Sequence, residues 1–376
     1  MSQKSAHEHT RLDDRQSAFE LCLYCPSLCR NACPTATHEG SDTISPWGLM
    51  SLASHLASGR VEPDASIAAA MSTCVNCGAC SDACAYDNPV GESLVQVRAW
   101  LTEHGHPLKA EVLAPQDADS PTIKRLRAGS RYDPTPVFSF VPGAGAFAES
   151  SSVVDAFFSI CQRLDIDALS CGDLARLDPG YDLWWAGRVG EFVEHARAVH
   201  AATAGARDIV VMSAETLYLF REIYPRFGLR ISAELVHVSE FMLPLLTGAI
   251  VQRIHDRVMY HESCHLHRHL GLTDIPRTVL RRVMVRPLIE VPKCGDLVGC
   301  CGGTGAPAHG LATTAGMAKG LIEAAVAAGA ERLVSFSTEC VLALEEARVA
   351  LGVTGLRVDH AVTLVAEAII GDGAAA

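Results

Sequence analysis

Cys22-Leu-Tyr-Cys25-Pro-Ser-Leu-Cys29-Arg-Asn-Ala-Cys33-Pro34 sets four cysteines within a dozen positions. The run returns as Cys74-Val-Asn-Cys77-Gly-Ala-Cys80-Ser-Asp-Ala-Cys84, with the spacing C-x2-C-x2-C-x3-C. The first run is one residue looser between Cys25 and Cys29 and ends in Cys-Pro; the second has Ala85 at that last place. Three thiolates in one tight turn can grip three irons of a cube, and the fourth iron then needs a ligand from elsewhere. Paired C-x2-C units also build closed tetrahedral zinc sites, but those take two cysteines from each knuckle, and here each run offers four.

The cadence resembles that of bacterial-type ferredoxins, which hold cubane [4Fe-4S] clusters and let the last cysteine of each run ligate the other run's cluster. The resemblance implies Cys22, Cys25, Cys29 and Cys84 around one cluster and Cys74, Cys77, Cys80 and Cys33 around a second.

Around these runs the composition narrows the choices. With 376 residues there is room for two or three domains. A net charge of -12 argues against a nucleic-acid partner, which demands a basic face, and against docking on anionic lipid by charge alone. Eight of the fifteen cysteines sit in the two runs and must stay reduced, which points to the cytoplasm. Met1 to Thr10 has no apolar core and does not read as a signal peptide. No run approaches the roughly 18 apolar residues of a membrane span. The nearest, Phe241 to Val251, is broken by Pro244, Thr247 and Gly248 and reads as a packed helix.

Residues 1–20 read as a polar, frayed N-terminus and 21–110 as helix and loop holding both cysteine runs. Ser45-Pro46 starts a helix that Gly59 stops, Asp64 caps Ala65 to Ser72, and Val90 to His104 is a helix ended by Gly105. Residues 111–135 are proline-rich and read as a linker. Beyond, short apolar runs alternate with helical stretches, the pattern of a parallel α/β unit, and the pattern repeats. Ala206 to Phe220 lies over Ala330 to Leu344 without a gap, and Ser170-Cys171-Gly172 over Cys300-Cys301-Gly302. Two units, 136–250 and 256–372, are expected to pack about a pseudo-twofold axis.

The later unit carries a second constellation. Cys264, the pair Cys300-Cys301, and Cys340 each follow an expected strand. In a parallel sheet the loops at the carboxyl ends of strands meet in one crevice, so these four thiols should converge. The earlier unit keeps Cys171 but has Ser170, Thr216 and Ala144 at the other places, so no metal centre is expected there. Isolated Cys161, Cys171 and Cys294 read as ordinary buried cysteines. Most of His261, His265, His267 and His269 read as a solvated loop face, with one of them bonding the site. Gly302-Gly303-Thr-Gly305 lacks the Lys-Ser/Thr of a P-loop and reads as room for backbone beside a cofactor. No dinucleotide fingerprint occurs anywhere, which argues against a resident flavin or nicotinamide.

Twin ferredoxin-like runs followed by a repeated domain with Cys-Cys-Gly resemble the heterodisulfide reductase-related iron–sulfur proteins, whose relatives include the iron–sulfur subunits of glycolate oxidase and anaerobic glycerol-3-phosphate dehydrogenase. The resemblance covers about residues 20 to 370. It implies a mixed fold: an N-terminal α-helical, two-[4Fe-4S] ferredoxin-like domain, then two repeated α/β CCG-type domains. In heterodisulfide reductase the Cys…CysCysGly…Cys-x-x-Cys pattern holds a non-cubane [4Fe-4S] cluster on five cysteines. Here Cys264, Cys300, Cys301 and Cys340 match, while Ser337 stands where the fifth thiol would be and is a candidate oxygen donor. A cubane is therefore the first expectation for this site, a non-cubane cluster the second, and zinc the third. The function implied is an electron-transfer subunit. It would take electrons from a partner flavoprotein dehydrogenase and deliver them to a quinone, membrane-associated or other acceptor, meeting the inner face of the membrane only through a partner. The alternatives are a catalytic reductase of a disulfide, thiol or quinone at the Cys-Cys-Gly site, and a docking subunit without a centre in either unit.

Overall fold

The computed structural model describes residues 10–110, 138–143, 151–166, 169–170, 177–290, 299–303 and 311–371. Its N-terminal part, to residue 110, is helix and loop. Ser45 accepts a hydrogen bond from the Gly48 amide at 3.1 Å and starts Pro46–Ala57 with Pro46 in the first turn. Asp64 does the same for Ala65–Ser72 through the Ile67 amide at 2.8 Å. The third long helix of this part is Val90–Glu103. Leu49, Met50, Met71, Leu94, Val97 and Leu101 from these helices share one core. The frayed start expected for residues 1–20 ends sooner: Gln16–Leu23 is helical and buries Phe19 completely, and Leu12 is buried ahead of it. Those two apolar side chains give the segment a core to join. The linker expected over 111–135 lies outside the described residues.

Two parallel four-stranded sheets follow. The first comprises β1 (Phe138–Val141), β2 (Leu169–Ser170), β3 (Asp208–Val211) and β4 (Glu234–His237) in the order β2-β1-β3-β4. The second comprises β5 (Val258–Tyr260), β6 (Ile289–Glu290), β7 (Arg332–Ser335) and β8 (Arg357–His360) in the order β6-β5-β7-β8. The two orders are the same.

Alternation along the strands sends successive side chains to opposite layers. In β3, Ile209 and Val211 join the core of the N-terminal helices, while Val210 and the following Met212 enter a core common to both sheets. In β7, Leu333 packs outward with Ile322 and Leu344, while Val334 and Phe336 enter the common core. The first unit is therefore a slab between the N-terminal helices and the second unit. Its contact with the former is tight at Gly187 (φ 74°), where a Cβ would stand 2.2 Å from the Ala99 amide nitrogen. The two units exchange terminal helices: Ala361–Ile370 packs on Ser151–Arg163, and Val238–Leu245 on Asp274–Val283.

His237 and His360 close β4 and β8, cap the helices that follow, and flank the Phe336 ring, each with centroids 6.1 Å from it. Burial pushes both imidazoles down to about 3 from an ordinary 6.5. The folded state keeps them neutral while the unfolded chain protonates them. Their contribution to stability is thus full above about pH 6.5 and is lost as pH falls toward 3, at up to about 1.4 kcal/mol per pH unit for each. Denaturant unfolding of the cluster-loaded protein between pH 7 and pH 5.5 should show this slope, and His360→Asn should lower it by about half. An unchanged slope would mean that the histidine pair is not its source.

Candidate metal centres

The two cysteine runs interleave. Cys84 stands among Cys22, Cys25 and Cys29, and burial together with these neighbouring sulfurs pushes Cys22 up to about 12. Cys33 stands instead beside Cys74 and Cys80; burial first, then the adjacent sulfurs, raises it to about 11 and raises Cys80 as well. Several sulfurs accept hydrogen bonds: Cys22 from Asn88 Nδ2 at 3.1 Å, Cys33 from the Ala36 amide at 3.4 Å, and Cys74 from the Asn76 amide at 3.4 Å. Sulfurs stripped of water and crowded in this way resist ionisation unless a cation neutralises them. The donor set suits an iron–sulfur group.

The loop from Cys74 to Cys80 is held from three sides. Arg98, fully buried, donates to the carbonyls of Met71, Cys74 and Trp185 at 2.6–3.0 Å and stacks over the Trp185 ring. Trp185 donates its indole N–H to the Cys74 carbonyl at 3.0 Å. From the second unit, His269 Nε2 meets the Asn76 carbonyl at 2.8 Å and Arg268 Nη1 meets the Cys77 carbonyl at 3.2 Å. Asn76 itself sits in the left-handed region (φ 53°), which asparagine tolerates better than most residues.

In the second unit Cys264 follows β5, Cys300 and Cys301 lie beyond β6, and Cys340 begins the helix after β7. The four free thiols lie within hydrogen-bonding reach in the order Cys264, Cys300, Cys301 and Cys340, and His261 continues the series. His261, Cys301 and Cys340 bring ligand atoms within 4.8 Å of one another, all buried. Hydrogen bonds from neighbouring thiols hold Cys300 and Cys340 well below the ordinary thiol value, whereas donating those bonds raises Cys264 and Cys301. Burial, the largest single influence, works against a charged His261, yet its bond to Cys340 together with the charge of Cys340, Cys300 and Glu262 outweighs it and lifts its pKa. The Gly302 and Gly303 amides point at Cys300 and Cys301 sulfurs (3.3 and 3.5 Å). A Cβ on Gly303 would lie 2.5 Å from the Glu339 carbonyl, so glycine here lets the loop close on the helix that carries Cys340. This quartet also fits a sulfur-ligated metal group.

The two sites touch. Cys77 shares a hydrogen bond with Cys300, and Val75, Cys77, Ala79, Cys264, Cys300 and Met317 form one buried cluster. Beside it opens a cleft of about 600 Å³, walled mainly by apolar side chains such as Leu28, Met317 and Leu321, with Cys33 and Cys300 on its lining and His38 at its side.

Two features differ from what the sequence suggests or go beyond it. The histidines are not a solvated face: His261 and His265 are buried, His267 bonds Thr273, and His269 packs on the cysteine loop. They fill the seam between the cluster-binding helices and the second unit, and packing across that seam removes them from water. The other feature is a carboxyl pair. Ser213 donates to Glu339 at 2.9 Å and Ser337 to Glu215 at 3.2 Å, a reciprocal exchange between the units. Burial raises the pKa of both carboxyls. Ser337, the candidate oxygen donor, thus lies between Cys340 and these carboxyls. His265 Nδ1 reaches Glu215 at 3.2 Å and its Nε2 meets the Tyr181 hydroxyl at 2.9 Å. The gap-free register held the signal, for it sets Glu215 over Glu339 and Ser213 over Ser337.

At the matching place of the first unit, Thr216 is buried where the second has Cys340. Ala144, Cys171 and Cys294 lie outside the described residues, and Cys161 is a buried residue of the common core.

Residues 18–88 match the 4Fe-4S dicluster domain model, and residues 258–345 match the CCG cysteine-rich domain model. The chain is related to the heterodisulfide reductase-related iron–sulfur proteins. It is 32% identical over 170 residues to one of the subunits of dihydromethanophenazine:CoB–CoM heterodisulfide reductase from Methanosarcina mazei, covering 44% of this chain and 41% of that protein. A longer match, 22% identical over 78% of this chain and 61% of the relative, is to one of the subunits of the CoM/CoB fumarate reductase of Methanothermobacter marburgensis. The probable glycolate oxidase iron–sulfur subunit of Bacillus subtilis is 33% identical over 88 residues, 23% of this chain and 20% of its own length. The match thus spans about two fifths of the first of these relatives. One chain thus combines a match to a 4Fe-4S dicluster domain with a match to a cysteine-rich domain. Among the described residues no helix is long and apolar enough to cross a membrane.

Proposed function

We propose that the chain is an electron-transfer subunit that accepts electrons from a flavoprotein dehydrogenase and delivers them to a quinone or similar acceptor. The observation that carries this reading is the contact of Cys77 with Cys300, which joins the dicluster domain to the CCG site within one buried cluster. Bound iron–sulfur clusters would supply one-electron steps, while the protein supplies ligation, burial and tuning. Cys22, Cys25, Cys29 and Cys84 would hold the outer cubane, and Cys74, Cys77, Cys80 and Cys33 the inner one. Cys264, Cys300, Cys301 and Cys340 would hold a third group, a cubane before a non-cubane cluster and zinc last, with Ser337 as an oxygen donor at the fifth place. His261 bonds Cys340 and steadies that corner. Val75, Ala79 and Met317 keep water from the junction. The cleft beside Cys33 and Cys300 would admit the acceptor to both inner sites. Relatives named as subunits of a heterodisulfide reductase and a fumarate reductase, and one named an EtfAB:quinone oxidoreductase, support membership in a larger assembly. The first α/β unit would be a degenerate CCG-type repeat that keeps only Cys171 of the four cysteine places, serving as the slab that holds the other two parts together.

A second reading, a reductase acting directly on a disulfide or quinone, draws on the same cleft. Anaerobic purification from the native host separates the two. An electron-transfer chain should copurify with a flavoprotein, and alone it should lack dehydrogenase activity and bound flavin. Stoichiometric flavin in the isolated chain, or rapid reduction of a disulfide by it without a partner, would overturn that reading.

A further inference from the structure

One charged pair bridges the inner sites. Arg268 lies four residues after Cys264, on the wide helical turn His265–His269, with its side chain only 2% exposed. Its Nε meets Asp82 Oδ2 at 2.7 Å, and its Nη1 meets the carbonyl of Cys77 at 3.2 Å. Asp82 belongs to the short helix that contains Cys80, and its side chain is about one-third exposed, at 32%. The Arg268 stem packs on Gly78, where a Cβ would stand 3.2 Å from Cδ. A guanidinium thus sits between the Cys77 loop and the Cys264 turn, and the Asp82 carboxylate partly offsets it.

Charge of this kind acts on any group held there. Reduction adds a negative charge to a cluster, and a nearby cation in a poorly solvated setting favours it while an anion opposes it. We propose that Arg268 and Asp82 act together as a positioning pair that sets the midpoint potentials of the two inner centres and acts on them more than on the outer one. The inference rests on the proposed assignment of Cys77 and Cys264 to adjacent centres. Arg268 raises both potentials and Asp82 lowers both. The pair also joins the two domains, so a merely mechanical role has to be told apart.

The sign does that. Arg268→Gln and Asp82→Asn break the same ion pair, so a mechanical role moves both variants in one direction. The proposed role moves them in opposite directions. In redox titrations of the loaded protein followed by EPR, Arg268→Gln should lower the midpoints of both inner centres. Asp82→Asn should raise them, and Arg268→Lys, which keeps the charge, should recover most of the loss. The centre of Cys22, Cys25, Cys29 and Cys84 should move less than either inner one. Shifts of the same sign in the Arg268→Gln and Asp82→Asn proteins, equal shifts in all three centres, or no shift would overturn the proposal. Should Arg268→Gln fail to fold, Asp82→Asn is compared with Asp82→Glu, which keeps the charge: the proposal requires the first to raise the inner midpoints and the second to leave them near wild type. Failure of the ligand assignment would look different: no redox signal would depend on Cys264, whatever the behaviour of Arg268.

Discussion

Cys33→Ser is expected to eliminate the centre associated with the second cysteine run while sparing the centre associated with the first. Cys33 stands in one run with Cys22, Cys25 and Cys29, yet the ferredoxin resemblance already sets it with Cys74, Cys77 and Cys80. In the fold it stands beside Cys74 and Cys80, and Cys84 has taken its place among the first three. A hydroxyl is a poor substitute for a thiolate ligand of iron, and the site is buried, so little water can enter to replace it. The variant should therefore lose about four irons per chain and one of the reduced-state signals. Cys84→Ser should give the complementary loss. Iron analysis and EPR of anaerobically prepared protein check both. If Cys33→Ser instead removed the centre of Cys22, Cys25 and Cys29, crossed ligation would be wrong.

Cys301→Ser carries the second large effect. Cys301 links Cys300 to Cys340 and lies beside His261, so its loss opens the middle of the quartet rather than an edge. Removing even an outer partner of a metal ligand typically costs about 10–100-fold in affinity or activity, and loss of a ligand should cost more. Donor-driven reduction of the acceptor should fall by at least about 100-fold. The two N-terminal centres should remain fully reducible by dithionite, because no ligand of theirs comes from this loop. Continued turnover at the wild-type rate would show that electrons leave from the cubanes without using the CCG site.

How much of this could be read from the chain depends on the range of the physics involved. Helix caps are local, and Ser45 and Asp64 lie where their spacing to the next apolar stretch said they would. The convergence of Cys264, Cys300, Cys301 and Cys340 follows from a rule about strand ends in parallel sheets, so it too was legible. The burial of the histidines was not. His261 to His269 alternate with Cys264, Leu266 and Arg268 in a way that fits a wet loop, and only the seam with the Cys74–Cys80 loop makes them interior. The Glu215–Glu339 pair shows an intermediate case. Its register was visible in the repeat, but that two carboxyls meet required knowing that the carboxyl ends of both sheets face each other. Arg268 and Asp82, 186 residues apart, had no sequence signal at all.

The dicluster domain and the CCG site are proposed to form one electronic unit through Cys77 and Cys300. The most direct measurement is an EPR-monitored redox titration of the fully loaded wild-type chain, with power saturation recorded at each potential. Three one-electron centres are expected, with the CCG centre and the inner cubane relaxing each other magnetically beyond any interaction between the two N-terminal cubanes, and that added interaction lost in Cys301→Ser. A fully loaded protein whose CCG site holds zinc or no metal, or whose reduced centres behave as magnetically isolated, would contradict it.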